Sequence, residues 1–375
     1  MLISKIKRAL TASAGVAALL SATTASAEYG LNLTEGVTPI SQGAYDMHML
    51  ILWVCVAIGV VVFGAMFISI IKHRKSKGAK PAQFHESTAV EIVWTIVPFI
   101  ILVSMAIPAT KALVAMEDTS NSDLSIKVTG YQWKWGYDYM DEGVSFMSTL
   151  TTPSEQIRNE QPKGENYLLE VDNPVVVPIN KKVRLLVTSN DVIHAWWVPE
   201  LGMKKDAIPG FINEMWFSID EEGTYRGQCA ELCGKDHGFM PIVVVAKNEA
   251  DYQQWVTEQK GAKAADAAAA DRDWSMAELM ERGEKAYNTS CVACHQANGE
   301  GIPGAFPPLK GGPIATGPKA QHLDIVMNGK AGTAMAGFAG QLSDVDLAAI
   351  VTYERNAWGN NTGDLVQPAE VKAAR

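Results

Sequence analysis

Two long apolar stretches without a charged residue constrain this chain more than any other feature. Residues 49–71 form an uncharged run of 23 residues, and residues 92–110 form one of 19. An α-helix crosses the hydrocarbon core of a bilayer with about 20 apolar residues. The sequence therefore predicts two membrane-spanning helices that form a hairpin.

Charged residues near these runs predict the topology. Residues 1–27 read as a secretory signal, with a basic start, a short apolar stretch and an Ala-Ser-Ala end. An uncleaved anchor is the alternative, but this apolar stretch is too short to span a bilayer. The segment between the two long runs is basic and therefore cytoplasmic; it carries Lys72, Arg74, Lys75, Lys77 and Lys80. Both signals place the chain after residue 116 outside the cytoplasm.

The exported part changes character along its length. Its first section, residues 124–247, has short runs of β-branched and aromatic residues between turn formers, which predicts a β-sandwich or barrel. The expected strands are 167–171, 183–187, 214–219 and 241–245. The formal net charge of the whole chain is -9, which argues against nucleic acid as a partner.

A linker and a helical region follow the β-rich section. Residues 264–270 are alanine except for Asp266, a composition that cannot build a core but can form a helix. Residues 276–288 and 343–358 have helical periodicity, with Ser343 as the N-cap of the second helix. We expect the tail after residue 361 to be frayed.

Soft metal ligands concentrate near residue 230. Cys229, Cys233, His237 and Met240 lie within twelve residues, and His194 precedes Cys229 by 35. Thiolate, thioether and imidazole ligands together favour copper over hard cations, and a single blue-copper centre uses only one cysteine. The second thiolate therefore favours two coppers that share both sulfurs. Each copper would take one imidazole, and Met240 and a backbone carbonyl would complete the two sites.

Other interpretations of these residues remain open. A structural disulfide between the two cysteines would leave His194, His237 and Met240 without a role. A tetrahedral zinc site of two cysteines and two histidines would not need Met240. A copper-delivery protein could use similar donors, but it would not need a second membrane helix.

A second motif, Cys291-Val-Ala-Cys294-His295, has the spacing of haem c attachment. The two cysteines would form thioether bonds with the haem, and His295 would bind its iron. A methionine as the sixth ligand raises the reduction potential relative to a second histidine.

Three downstream residues compete for the sixth position. Met335 lies in a loop rich in Gly and Ala, and we expect it to be the ligand. Met327 fits the buried face of a helix instead, and His322 is a weaker candidate.

The copper motif and its surroundings resemble one known family. Residues 189–245 look like the cupredoxin domain of cytochrome c oxidase subunit II, and the likeness extends over the hairpin. It is carried by the His194 segment and by residues 206–210, 227–241, 131–139 and 91–98. Residues 286–358 resemble a class I cytochrome c, and Pro307-Pro308-Leu309 and Tyr353 fit that family.

The subunit II resemblance implies a binuclear CuA centre and a ligand set. Glu231 would bind copper through its backbone carbonyl, and its carboxylate would reach a magnesium ion at the interface with subunit I. The side-chain ligands would be His194, Cys229, Cys233, His237 and Met240.

The same resemblance gives roles to two further residues. Trp133 matches the aromatic residue through which electrons arrive from cytochrome c, although the fused haem could replace that donor. Glu91 matches the carboxylate at the mouth of a proton-uptake path on the cytoplasmic side. Trp133 and Trp135 could instead both be core residues on one face of a strand. Glu91 could simply favour the dipole of a helix N-terminus.

Together these features predict a multidomain chain with a transmembrane α-helical hairpin, an all-β cupredoxin sandwich and an all-α class I cytochrome c domain. The expected segments are a signal peptide at 1–27, the hairpin with its N-terminal segment at 28–115, the CuA domain at 116–250, an Ala-rich linker at 251–273, the cytochrome c domain at 274–360 and a tail at 361–375.

The resemblance implies the subunit that delivers electrons in a proton-translocating respiratory cytochrome c oxidase of the caa3 type. Oxygen would be reduced in another chain. The expected cofactors are binuclear copper, covalent haem c and a shared magnesium ion, and the expected partners are subunits I and III and cytochrome c. Both metal domains would face the periplasm from a bacterial inner membrane. The alternatives are a copper-insertion or storage protein and a subunit of another terminal enzyme, such as a nitric oxide reductase.

Overall fold

The computed structural model describes residues 32–81, 83 and 85–375. The predicted signal peptide, residues 1–27, lies outside the described residues. Two helices, α1 (Pro39–Lys72) and α2 (Thr88–Glu117), contain the two predicted membrane runs. Among the described residues, these are the helices that are long and apolar enough to cross a membrane.

The ends of the hairpin have clear local causes. Thr38 caps α1, because its hydroxyl accepts a hydrogen bond from the Ser41 N–H, and Pro39 occupies the first helical position. A short 3₁₀ helix, Lys75–Lys77, lies in the basic segment between the two helices.

A β-sandwich follows the hairpin. Within the part of the chain that the structure describes, ten strands form two five-stranded sheets, in the orders β3-β2-β1-β5-β8 and β4-β10-β9-β6-β7. The strands are β1 (Leu124–Tyr131), β2 (Lys134–Tyr139), β3 (Val144–Ser148), β4 (Val175–Pro178), β5 (Val183–Ser189), β6 (His194–Val198), β7 (Met203–Ala207), β8 (Asn213–Phe217), β9 (Gly223–Cys229) and β10 (Pro241–Lys247). A single helical turn, α3 (Ser154–Ile157), lies between β3 and β4.

Alternating burial explains why the two sheets pack face to face. In β5 every second residue is buried, as the two-residue period of a strand requires. The core includes Ile126, Leu185, Trp196 and Phe217, and the Trp196 and Phe217 rings stack with centroids 6.3 Å apart.

Three of the four predicted strands are confirmed as β5, β8 and β10. The prediction of a strand at residues 167–171 is wrong. Leu168 has a φ of 61°, and its N–H donates to the Thr152 hydroxyl instead of to a neighbouring strand. Its apolar side chain suggested a strand, but the local turn determines its backbone conformation.

One continuous helix, α4 (Glu249–Ala269), leaves the sandwich and crosses the Ala-rich segment. Tyr252 and Val256 in its first half belong to the core of the sandwich. Most side chains of its second half are exposed. The predicted linker is therefore helical, and it is attached to the sandwich by packed side chains.

Five helices form the last domain, called here the helical domain. They are α5 (Met276–Ser290), α6 (Val292–His295), α7 (Lys319–Asn328), α8 (Asp344–Asn356) and α9 (Pro368–Ala374). The two helices predicted here are confirmed as α5 and α8. Ser343 caps α8 as predicted, because its hydroxyl accepts from the Asp346 N–H at 3.1 Å.

The prediction of a frayed tail after residue 361 is wrong. Val366 and Val371 are fully buried in the cluster that contains α7 and α8 residues. The Gln367 side chain accepts a hydrogen bond from the Trp274 N–H and donates one to the Trp274 carbonyl. The tail is ordered because it covers apolar surface of the helical domain.

Candidate metal centres

His194 begins β6 and is completely buried. Its Nε2 lies 2.8 Å from a carboxylate oxygen of Asp191, and the other carboxylate oxygen accepts from the Gln132 N–H at 2.7 Å. A neighbour that holds one ring nitrogen leaves the other nitrogen for a metal. Here the Nδ1 atom is left, and it faces the Cys229 sulfur at 4.0 Å.

The backbone of β1 makes room for this imidazole. A β-carbon on Gly130 would lie 2.7 Å from the His194 ring, which is closer than real atoms pack. Only glycine at this position lets β1 approach the ring.

The remaining predicted copper ligands lie on one stretch, residues 229–240, called here the copper loop. Cys229 ends β9, His237 opens a 3₁₀ turn and Met240 immediately precedes β10. The two cysteine sulfurs are 3.8 Å apart. The Cys233 sulfur lies 3.5 Å from the His237 Nδ1 and 3.5 Å from the Met240 sulfur.

The backbone of the copper loop contributes one more donor. The Glu231 carbonyl oxygen lies 3.3 Å from the Cys229 sulfur. The structure thus brings all six predicted ligands together, with His194 beside one thiol and His237 beside the other.

These separations fit a shared soft metal better than the alternatives. A disulfide needs about 2.05 Å between its sulfurs, whereas these sulfurs are 3.8 Å apart. Sulfur and imidazole ligands bind a metal ion such as zinc at about 2.3 and about 2.0 Å, so atoms 3.5–4.0 Å apart can share an ion. The Met240 thioether and the second thiol favour copper over zinc.

The electrostatics of the site favour a deprotonated thiol. The Cys233 thiol donates to Cys229, which lowers the pKa of Cys229 and raises that of Cys233. Burial by itself lowers the pKa of His194, but hydrogen bonds to Asp191 and Cys229 outweigh it and raise the net value. The site therefore stabilises negative charge on sulfur, which is the form that binds metal.

The turn between β1 and β2 holds the copper loop from outside. Gln132 and Trp133 both donate side-chain hydrogen bonds to the Cys233 carbonyl, at 2.8 and 3.3 Å. Gly234 has a φ of 123°, and a β-carbon there would lie 3.0 Å from the Trp133 ring. The indole therefore packs directly on the loop that carries Cys233.

The alternative that Trp133 and Trp135 are both core residues on one face of a strand is wrong. Trp133 lies in the turn and is only partly buried, whereas Trp135 lies in β2 and is completely buried. Trp135 donates to the Met240 carbonyl at 3.3 Å, and it is the core residue of the two.

The two carboxylates with predicted roles are both exposed. Glu231 presents its side chain outward from the copper loop. Glu91 lies in the first turn of α2, beside the basic segment. This position suits both a proton-uptake role and favourable interaction with the helix dipole.

The C-x-x-C-H motif begins at Cys291, directly after α5, and continues through all of α6. The His295 Nδ1 lies 3.0 Å from the Pro307 carbonyl oxygen, which leaves Nε2 for iron, as is usual for metal-binding histidines. Burial raises the pKa of the Cys291 thiol, and the Glu354 carboxylate beside it acts in the same direction.

The three candidates for the sixth iron ligand lie in different surroundings. Met327 is buried in a core cluster with Leu323 and Leu347. The His322 Nε2 is 2.8 Å from the buried Glu354 carboxylate. Met335 lies half-buried in the loop between α7 and α8. Unlike Met327, Met335 does not belong to the core cluster. Its thioether is therefore not needed for packing, and Met335 is the best candidate for the axial ligand.

Sequence reasoning missed Asp191 and Gln132, which orient His194 and the copper loop. Asp191 precedes His194 by three residues, and a carboxylate close to a predicted ligand is a usable signal. Gln132 has no local signal, because its partner Cys233 is 101 residues away.

A largely buried set of thiols, imidazoles and a thioether, a haem-attachment motif and two membrane-length helices together define a membrane-anchored electron-transfer protein. Residues 124–247 match the periplasmic domain of cytochrome c oxidase subunit II, and residues 26–112 match its transmembrane domain. Residues 278–353 match the family described as cytochrome c oxidase, cbb3-type, subunit III. The chain belongs to the cytochrome c oxidase subunit II family and also carries a cytochrome c domain.

Relatives show the same relationship. The chain is 42% identical to cytochrome c oxidase subunit 2 of Arabidopsis thaliana, over 61% of this chain and 89% of that one. It is 39% identical to the probable cytochrome c oxidase subunit 2 of Rickettsia bellii, over 59% and 81%. The crystal structure of the periplasmic domain of subunit II from Bradyrhizobium japonicum matches with 44% identity over 38% of this chain and 97% of that one, with a TM-score of 0.34.

Family membership makes the chain a subunit of a haem–copper oxidase, which is a membrane oxidoreductase complex. It is a two-pass membrane protein with a periplasmic domain. The predicted fold classes of its three parts are confirmed.

Proposed function

We propose that this chain delivers electrons to the oxygen-reducing subunit I of a respiratory cytochrome c oxidase. Cytochrome c would donate to the helical domain, and a binuclear CuA centre in the sandwich would pass the electron on. One observation carries the proposal: the two cysteine sulfurs are 3.8 Å apart, and each has its own imidazole neighbour.

The residues around the copper loop perform three tasks. His194, Cys229, Cys233, His237, Met240 and the Glu231 carbonyl would hold two copper ions. Asp191 fixes the orientation of one imidazole, and Gln132 and Trp133 hold the loop by its backbone. Because the ligands are already close together, they need to move little between oxidation states.

The helical domain holds its haem in a similar way. Cys291 and Cys294 would form the thioether bonds, and His295 and Met335 would bind the iron. The Pro307 carbonyl orients His295. When bound, the haem and the copper pair would supply one-electron chemistry.

Further assignments belong to the same proposal. The exposed Glu231 carboxylate is suited to a magnesium ion shared with subunit I, and Glu91 to proton uptake on the cytoplasmic side. Trp133 would carry electrons towards Cys233. The chain would lie in a bacterial inner membrane with subunits I and III, and residues 116–250 and 274–360 would be its copper and haem domains.

The test is electron paramagnetic resonance on the full chain in detergent, loaded with copper and haem. We expect hyperfine structure from one electron shared equally by two copper nuclei. Cys233→Ser should abolish this pattern, whereas Cys55→Ser in α1 should leave it unchanged. A single-copper signal in the unaltered chain would refute the binuclear centre and favour a copper-delivery protein. Co-purification with an oxygen-consuming subunit separates an oxidase from another terminal enzyme.

A further inference from the structure

The part of the helical domain that carries Cys291 and Cys294, called here the haem-attachment edge, lies near the sandwich. The charged groups that lie near enough to act on Cys294 belong to the sandwich: Asp236, Lys235 and Lys134. Two of these lie on the copper loop. The third begins β2, directly after the turn that holds Cys233.

Lys134 is unusual among these groups because it is buried. It is 7% exposed, and lysines are almost never buried without compensation. Its ammonium nitrogen lies 4.8 Å from the centre of the Phe338 ring in the helical domain, within the range of a cation–π contact. Phe338 follows the predicted iron ligand Met335 by three residues.

The ammonium group lies close to the haem-attachment cysteines. Cys291 and Cys294 lie near enough to act on the charge of Lys134, as do Asp191 and Asp172. Burial lowers the pKa of Lys134 to about 8, so the side chain still carries its charge at neutral pH. A positive charge in a low-dielectric interior stabilises an added electron nearby.

Lys134 is also connected to the copper loop, because it directly follows the turn residues that bind this loop. Lys134 pairs with Tyr131 across the hairpin turn, and the turn residues Gln132 and Trp133 donate to the Cys233 carbonyl. One short segment therefore contacts both the copper loop, through Gln132 and Trp133, and the helical domain, through Lys134 and Phe338.

We propose that Lys134 is a positioning residue of an internal junction between haem and copper. Its buried ammonium group contacts Phe338 and thereby positions the haem-attachment edge beside the turn at Gln132 and Trp133. The positive charge of this group also stabilises the reduced haem. This inference rests on the proposed function. An external cytochrome would then donate to the helical domain and not to Trp133. In the transfer, one electron leaves the haem and one reduces the copper pair, without any bond being made or broken.

The test compares Lys134→Met, which removes the charge but keeps the length, with Lys134→Arg, which keeps the charge. The control is Lys127→Met, which removes a partly exposed lysine of β1 that is paired with Asp138. The midpoint potentials of haem and copper are measured by spectroelectrochemical titration of the full chain. Lys134→Met should make haem reduction about tenfold less favourable, a fall of about 59 mV for one electron. The copper potential should change less, and Lys134→Arg and Lys127→Met should leave the haem potential near that of the unaltered chain.

The outcomes are distinguishable. A haem potential unchanged in Lys134→Met, or lowered equally in Lys134→Arg, would overturn the role of the charge while the binuclear copper signal still supported the proposed function. Loss of that signal in the unaltered chain would instead defeat the proposed function itself. If Lys134→Met does not incorporate haem, Lys134→Gln provides a second neutral variant, for which the same fall is expected and an unchanged potential is contradictory.

Discussion

At the residue scale, the candidate copper site includes a residue that would bind no metal but orients a ligand. Asp191 joins the His194 ring to the backbone of Gln132. We expect Asp191→Asn to weaken copper binding by about 10–100-fold, because such partners fix the tautomer and basicity of a ligating histidine. Copper retention against a chelator measures the effect.

The matched control for this prediction is Asp220→Asn, at an exposed position that follows the core residue Ile219. It should retain copper as the unaltered chain does. Equal retention by Asp191→Asn would mean that His194 is oriented by packing alone.

At the element scale, the close crossing of α5 and α8 depends on Gly283. A β-carbon there would lie 2.2 Å from the Ala349 carbonyl oxygen and 2.6 Å from the Tyr353 β-carbon. Gly283→Ala should push the helices apart and lower the free energy of unfolding of the helical domain by about 1–3 kcal/mol. Denaturant unfolding followed by haem absorbance measures this.

Gly261 offers the opposite case within α4. Nothing lies within 4 Å of a β-carbon built there. Gly261→Ala should therefore raise the free energy of unfolding by roughly 0.5–1 kcal/mol, because alanine is the better helix former. Equal effects of the two substitutions would show that the crossing is not close-packed.

The N-terminus of α5 should make the stability of the helical domain depend on pH. Hydrogen bonds from Ser275, with one from Arg272, lower the pKa of Glu278 from 4.5 to about 2. Because the folded value is the lower one, this contribution is present above pH 4.5 and is lost as pH falls towards about 2. Thermal unfolding should show Glu278→Gln to be less stable than the unaltered chain near neutral pH, with the difference shrinking in acid. Glu284→Gln, exposed in the same helix, should show no such convergence.

At the scale of the whole molecule, Arg282 ties the long helix α4 to the helical domain. Its guanidinium group pairs with Asp266 of α4 and with Asp346 of α8, both at 2.7 Å. Arg282→Gln should lower the free energy of unfolding by about 1–3 kcal/mol, because two carboxylates lose a partly buried charged donor. It should also speed hydrogen exchange in the last turns of α4.

Arg272→Gln is the control for this prediction. Arg272 pairs with Glu278 on a more exposed surface, where such a pair contributes about 0–1 kcal/mol. If hydrogen exchange in α4 is equally fast in the two variants, the ion pair between Arg282 and Asp266 does not stabilise that helix.

Much of the fold could be predicted, and candidate ligand sets could be proposed, because their signals are local. Residues 49–71 and 92–110 predicted the hairpin by length and polarity alone. The copper loop and the C-x-x-C-H motif each place most of their donors within twelve residues. The strand expected at 167–171 failed because a single turn at Leu168 overrides a composition typical of strands.

The sequence by itself therefore determined the membrane hairpin and the class of each domain, and it supplied the donor residues of the two candidate metal sites, since these follow from composition and short spacing. Only the tertiary structure decided which nitrogen of His194 is left for metal, that Trp133 and not Trp135 packs outside the copper loop, that Lys134 is buried against Phe338, and that the tail is ordered. The orientation of His194 depends on Asp191 nearby, but the other three depend on contacts between segments far apart in the chain, as when Gln132 bonds to Cys233 across 101 residues. No local pattern encodes such contacts; folding alone brings the groups together.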